Sequence, residues 1–200
     1  EEATALQKAK QMHSCSTCHA TESREYGDPL KATIKLAASG LKMKTNQKAT
    51  VSLVTGLTKG DSVLSIKSDK SKILKVSNVK PSGSCKLSAG KKTGTAKLTI
   101  KLASGLTKTI KVTVQKKTVK TTKLSGLPKN LTLKKGASQK LAVVLTPLTS
   151  QQKVTYSTSD KKVVSVDGKG KLKAKKAGKA KITVKSGSKK ITINVTVKAK

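Results

Sequence analysis

The chain has 200 residues, of which 44 are Lys or Arg and nine are Asp or Glu, giving a formal net charge of +35. Aromatic residues make up 1% of the chain, so a core must be built from aliphatic side chains. A nucleic-acid-binding function is disfavoured, because only one basic residue is Arg and there are almost no aromatic rings to stack on bases. No apolar run approaches the roughly 18 residues of a membrane-spanning helix, and none is predicted.

The first 30 residues differ in charge from the rest. They hold three basic and five acidic residues, a net charge of −2, whereas the remaining residues carry +37. Ala3, Leu6, Ala9 and Met12 recur at helical spacing, which predicts a short helix. A boundary is therefore predicted after residue 30.

Residues 13–19 read His-Ser-Cys-Ser-Thr-Cys-His. Cys15, Cys18 and His19 have the C-x-x-C-H spacing of c-type haem attachment. Two thiols so spaced reach the two vinyl groups of one porphyrin, and the adjacent imidazole meets the iron. The segment resembles the start of a small c-type cytochrome over about 30 residues. That resemblance implies covalent haem c on Cys15 and Cys18, with His19 as proximal axial ligand.

The distal side of such a haem is less defined. The candidate ligands are His13, Met12 and Met43. Because His13 is close in sequence to His19, it is interpreted as a ligand for the haem of a neighbouring filament subunit. Two other interpretations of the motif stay open: a local disulfide or free thiols, and a zinc site that includes both His, although adjacent Cys18 and His19 are poor tetrahedral co-ligands.

A third cysteine, Cys85, lies outside this segment. We expect it to be a small, half-buried residue. The alternative is a disulfide to another chain or to the N-terminal segment.

Residues 31–116 and 119–199 repeat one another. Five segments match in the same order, which predicts a duplication. The matches include 41–43 with 131–133 (offset 90), 68–70 with 159–161 (91), 94–100 with 178–184 (84) and 110–114 with 193–197 (83). The fall from 91 to 84 predicts about seven extra residues in the first copy, around residues 80–85.

Apolar and polar residues alternate within each copy, for example over 97–102 and 191–197. Such alternation predicts antiparallel strands with one buried face. Turns rich in Gly, Asp and Ser separate the runs. Six or seven short strands in about 80–85 residues predict a small β-sandwich.

Residues 157–167 and 170–184 carry a more specific pattern. A Ser-rich strand end, an Asp followed by Val-Val-Ser-Val, a Gly turn and Ala-x-x-x-Gly-x-Ala-x-Ile-x-Val resemble the group 2 bacterial immunoglobulin-like (Ig-like) family. The first copy resembles it more loosely, and together the two copies cover about 165 residues. The resemblance implies extracellular spacer, adhesin or stalk modules without shared catalytic residues.

The sequence therefore predicts an all-β chain of two tandem Ig-like β-sandwiches, residues 31–116 and 119–200, preceded by a short helical segment, residues 1–30. Its acids at Asp61, Asp69, Asp160 and Asp167 lie in predicted turns, and no enzyme activity is predicted. Because the chain begins without Met, it is interpreted as a mature or trimmed product.

The predicted function is a structural or adhesive scaffold of an exported cell-surface or filament protein. Its predicted partners are other subunits, including copies of itself. One alternative is extracellular electron transfer through haem c. Another is binding of anionic cell-envelope polymers through Lys.

Overall fold

Strands form wherever the alternation of apolar and polar residues is sustained. The computed structural model describes residues 2–18 and 20–199, and within them it contains twenty β-strands and no helix. The chain divides into two compact units, Glu1–Lys116 and Lys117–Lys200. The boundary predicted after residue 30 falls inside the first unit.

The first unit contains eleven of the described strands. They are β1 (Ala9–Ser14), β2 (Thr21–Tyr26), β3 (Ile34–Leu36), β4 (Gly40–Lys44), β5 (Lys48–Ser52), β6 (Val54–Leu57), β7 (Val63–Ser68), β8 (Leu74–Ser77), β9 (Ser84–Ala89), β10 (Gly94–Leu102) and β11 (Thr107–Gln115). The strand order is β4-β11-β10-β7 in one sheet and β5-β9-β8 in another, with β3-β6 and β1-β2 as separate pairs.

The second unit contains nine of the described strands. They are β12 (Lys123–Ser125), β13 (Asn130–Lys134), β14 (Ser138–Lys140), β15 (Val144–Thr146), β16 (Val154–Thr158), β17 (Val164–Val166), β18 (Lys171–Ala174), β19 (Gly178–Ser186) and β20 (Lys189–Lys198). The sheets are β13-β20-β19-β16, β14-β18-β17 and the pair β12-β15. This is the arrangement of β3 to β11 in the first unit.

The helix predicted for the N-terminal segment is wrong. Residues Ala9–Ser14 form strand β1, which pairs antiparallel with β2. Of the apolar residues at helical spacing, Leu6 and Met12 are exposed whereas Ala9 is buried. A helix is stabilised by burying a continuous apolar stripe, and these residues share no such face.

Strand pairing is equivalent in the two units. β4 runs parallel to β11 with Leu41 opposite Val112, and β13 runs parallel to β20 with Leu131 opposite Val195. The other neighbours in these two sheets are antiparallel. The sequence offset of 90 between β4 and β13 and the offset of 83 between β11 and β20 therefore preserve the same register in both units.

The sequence match at residues 68–70 is displaced by one residue. The amide of Asp69 donates to the Lys97 carbonyl, and the amide of Ser159 donates to the Lys181 carbonyl. Ser159, rather than Asp160, therefore takes the place of Asp69, and the offset there is 90. The side chains also act alike: Asp69 accepts from the Lys97 amide at 2.7 Å, and Ser159 accepts from the Lys181 amide at 2.8 Å.

The extra residues of the first unit are spread over three places. Val164 follows Leu74 by 90 positions, but Ala174 follows Ala89 by 85, so five of them lie in the β8–β9 hairpin. The offset then falls to 84 at the start of β10 and to 83 along β11. The predicted insertion near residues 80–85 therefore accounts for most of the difference.

The core of the second unit lies between its two larger sheets. Ile182, Val184 and Ile193 of one sheet belong to the same buried cluster as Val164 and Leu172 of the other. In the first unit the inward positions of β9, β10 and β11 are likewise buried. Aliphatic residues fill these positions because alternate side chains of a strand point to one face.

Candidate functional site

The two cysteines of the C-x-x-C-H motif lie at the turn of an exposed β-hairpin. Residues 9–26, here called the N-terminal hairpin, pair from Ala9 opposite Tyr26 to Ser14 opposite Thr21. The turn closes through a hydrogen bond from the Cys15 amide to the Ala20 carbonyl at 2.9 Å. Cys15 and Cys18 therefore lie at the tip of the hairpin.

The residues before the hairpin are bonded to the rest of the first unit, and the residues after it are bonded to those before it. The Ala5 amide donates to the Lys59 carbonyl at 2.9 Å, and the Leu30 amide donates to the Thr4 carbonyl at 2.8 Å. Lys59 also forms an ion pair with Glu2. The hairpin thus projects from an anchored base.

Cys15 and Cys18 are both exposed and are not joined to each other by a disulfide in this structure. The Cys15 sulfur accepts the Cys18 amide at 3.4 Å. Hydrogen bonds from the Cys18 amide, the Cys18 thiol and the Thr17 amide lower the pKa of Cys15 to about 7. Because the thiolate is the reactive form of cysteine, this arrangement favours a nucleophilic Cys15 near neutral pH.

The other predicted haem ligands are placed differently. Met12 is exposed on β1, but Met43 on β4 is 0% exposed, so its thioether has no surface on which to meet iron. His13 lies on β1 opposite Glu22, and His19 lies outside the described residues. Only Cys15 and Cys18 are shown to lie together.

Haem attachment and the zinc alternative stay predictions. The strand that precedes the motif replaces the expected helix, so the resemblance to a cytochrome is limited to the motif itself. In the part of the chain that the structure describes, no three His, Cys, Asp or Glu residues are grouped to hold a metal ion.

Cys85 lies on the inward face of β9 opposite Val51 and is 1% exposed. It is more deeply buried than expected, and it is a free thiol. Burial raises the pKa of the Cys85 thiol to about 11. It is therefore unreactive in the folded chain.

The turn carboxylates are occupied by hydrogen bonds. Asp61 accepts from the Ser104 hydroxyl at 2.6 Å. Burial acts to raise the pKa of Asp61, but hydrogen bonds from Ser104 and Ser62 outweigh it, so the pKa is lowered. Asp167 accepts from the amides of Lys169 and Lys171, each at 2.8 Å. These acids stabilise turns.

Sequence reasoning did not identify a polar depression on the second unit. It has a volume of about 590 Å³ and is lined by Lys129, Lys181, Lys190 and hydroxyl side chains of the four-stranded sheet. No Asp or Glu is among its lining residues. We call this surface the lysine face. The sequence signal is a run of outward Lys and Thr on β19 and β20, but only the strand order places them together.

Residues 121–197 match the family model described as the bacterial Ig-like domain (group 2). The second unit therefore has an Ig-like fold. Lacto-N-biosidase of Bifidobacterium bifidum is 41% identical over 68 residues, which cover 34% of this chain and 6% of that protein. The chain thus spans a small fraction of the length of that relative.

Solved structures of similar proteins include surface-layer and xylanase chains. Domains 5–6 of the S-layer protein SbsC align with a TM-score of 0.43 and 19% identity, covering 82% of this chain and 97% of that one. A bacterial Ig-like domain-containing GH10 xylanase from termite gut aligns with a TM-score of 0.30 and 25% identity, covering 34% and 18%. The part of the chain that the structure describes contains no helix suited to crossing a membrane.

Proposed function

We propose that the chain is a non-enzymatic spacer of an exported cell-surface or filament protein, built from two tandem Ig-like modules that resist pulling forces. The family match of residues 121–197 supports this assignment for the second unit. The equivalent strand order and register of residues 34–115 support it for the first.

The observation that carries the proposal is the parallel pairing of β4 with β11 and of β13 with β20. In each unit the second strand of the pair is the last strand of the unit, whereas β13 follows one strand and β4 follows the N-terminal segment and β3. Tension applied to the two ends of a unit pulls such parallel strands along their length, in opposite directions. The evenly spaced hydrogen bonds of a parallel pair then share the load rather than breaking one after another.

An equivalent backbone hydrogen bond lies at the end of each parallel pair. The Lys135 amide donates to the Lys198 carbonyl at 3.0 Å, and the Thr45 amide donates to the Gln115 carbonyl at 2.9 Å. A spacer under tension needs such a hydrogen-bonded parallel pair in each module, because the weakest module limits the force that the chain transmits.

Exposure on the cell surface is tested by antibody labelling of intact cells of the source organism. An antibody against the second unit is expected to label them without permeabilisation, and a cytoplasmic marker serves as the control. Labelling that requires permeabilised cells would contradict the proposal.

A second candidate function is binding of anionic envelope polymers at the lysine face. Lys129, Lys181 and Lys190 line one depression with no acidic side chain. Residues 117–200 hold 22 Lys and two Asp, so this unit carries a formal charge of +20. A chain of phosphates fits such a surface, because its attraction to lysine requires no specific motif.

Binding to wall teichoic acid tests this candidate. Lys181→Glu is expected to weaken binding more than Lys97→Glu, the same charge change at the equivalent position of the first unit. Binding is also expected to fall steeply with salt, since salt screens exposed charges. Equal effects of the two variants would place binding outside the lysine face. The electron-transfer alternative and assembly with copies of the chain stay predictions.

A further inference from the structure

Two exposed thiols at the tip of the N-terminal hairpin have no role in a spacer. The tip projects from a base that is fixed by the hydrogen bonds of Ala5 and Leu30. Cys15 and Cys18 are exposed there, whereas Cys85, the third cysteine, is enclosed in the first unit. The exposed cysteines therefore lie apart from the buried one.

The Cys15 sulfur lies against the backbone of Cys18 in the exposed turn. It accepts the Cys18 amide at 3.4 Å. This donor stabilises a negative charge on Cys15, and the two-residue spacing keeps the Cys18 thiol near the sulfur that it would attack. A nucleophile next to a second thiol is the arrangement required for exchange with a disulfide.

We propose that Cys15 and Cys18 form a thiol–disulfide exchange site whose substrate is an accessible disulfide, either of low molecular mass or on an extended peptide. Cys15 is the attacking residue and Cys18 the resolving residue. The site is separate from the proposed spacer function, because it lies on the hairpin and not on the parallel β4–β11 pair.

The exchange proceeds in two balanced steps. The Cys15 thiolate attacks one sulfur of the substrate disulfide, so a bond from Cys15 to that sulfur forms while the substrate S–S bond breaks and one thiolate leaves. The Cys18 thiol then loses its proton to solvent, and its sulfur attacks Cys15. The second substrate thiolate leaves, and both leaving thiolates take up protons. The substrate is reduced to two thiols, and Cys15 and Cys18 are oxidised to one disulfide.

The experiment uses the full chain, reduced and freed of reductant, with oxidised glutathione as the probe. In the wild type we expect intact mass to show loss of two hydrogens and peptide mapping to show a Cys15–Cys18 disulfide. Cys18→Ser is expected to retain one glutathione on Cys15. Cys15→Ser is expected to react at Cys18 roughly fivefold more slowly, since the Cys18 amide donates to the Cys15 sulfur and stabilises its thiolate.

Cys85 provides an internal control. It is expected to stay unmodified in the folded chain and to react once the chain is unfolded. A second experiment replaces oxidised glutathione by a peptide that is cyclised by a disulfide. Reaction with either compound supports the site. The faster reaction shows whether the substrate is a disulfide of low molecular mass or one on a peptide. Equal rates for the two serine variants, or no reaction of the folded chain while the unfolded chain reacts, would overturn the proposal. Neither outcome bears on surface exposure or on the spacer function.

Discussion

The ring of Tyr156 lies directly against the α-carbon of Gly170. A β-carbon at residue 170 would lie 2.8 Å from Cζ of Tyr156 and 2.9 Å from its hydroxyl oxygen. In the first unit, Ile66 takes the place of Tyr156 and Cys85 takes the place of Gly170. A large residue beside glycine in the second unit thus corresponds to two mid-sized residues in the first.

Gly170→Ala is expected to destabilise the second unit by about 2–4 kcal/mol. The β-carbon meets the Tyr156 ring, and the backbone φ of +78° at Gly170 is one that residues with a side chain rarely adopt. Urea unfolding measures the loss. The same substitution in a Tyr156→Ile chain is expected to cost less, because the ring is gone while the backbone strain remains. An equal cost in both backgrounds would show that the ring is not the obstacle.

Lys190→Glu is expected to stabilise the second unit at low salt by about 0.2–1 kcal/mol. Lys190 lies directly opposite Lys185 on the paired strands β19 and β20, where like charges repel. Lys190→Gln is the matched control, since it removes the repulsion without adding an attraction. In thermal unfolding, the stabilities of the wild type, Lys190→Glu and Lys190→Gln should converge as the salt concentration rises. A difference that persists at high salt would rule out a Coulombic origin.

Cys85→Ala is expected to destabilise the first unit, and the loss should shrink as pH rises. The folded thiol has a pKa of about 11, against an ordinary value of 9.0 in the unfolded chain. Between these values the unfolded chain has released its proton and the folded chain has not, so wild-type stability falls with rising pH. The alanine variant lacks this contribution. The difference in unfolding free energy between the wild type and Cys85→Ala should therefore narrow by about 1–2 kcal/mol as pH rises between the two pKa values.

The lysines also titrate in this pH range, but they do so in the wild type and in Cys85→Ala alike, so their effect cancels in the difference. A gap that is constant or widens with pH would contradict the assignment of a neutral, buried thiol.

Protein purified from its source organism is expected to show no haem Soret band. Attachment of haem c consumes both sulfurs as thioethers, and an exchange site requires them as thiols. Absorption spectroscopy and intact mass measure the two states. A Soret band with a haem-sized mass increment on residues 13–19 would instead support the electron-transfer alternative and overturn the exchange site.

Sequence periodicity predicted the long strands of both units, but it predicted six or seven strands per copy where the described residues form nine, and it missed β1 and β2. The alternation over 97–102 and 191–197 falls within β10 and β20, because inward positions of a strand must be apolar. The predicted N-terminal helix failed since four apolar residues at helical spacing had no common surface to cover. Local spacing alone does not specify a helix without a partner for its apolar face.

The candidate sites were predictable only in part. The spacing of Cys15 and Cys18 predicted haem attachment, which stays a prediction, and the hydrogen bonds that lower the pKa of Cys15 depend on the turn of the hairpin. The lysine face and the contact between Tyr156 and Gly170 join residues from different strands. Such contacts depend on strand order and register, which one-dimensional patterns do not specify.

The central claim, that two modules each resist force through a parallel strand pair, is tested most directly by single-molecule pulling on the ends of the chain. We predict two separate unfolding events, with about 250–300 Å of chain released by the 84 residues of Lys117–Lys200. Lys135→Pro removes the amide that closes the β13–β20 pair, and Thr45→Pro does the same for β4–β11. Each should lower the force of one event and leave the other unchanged. Extension without two force peaks, or peaks that neither variant alters, would contradict the account.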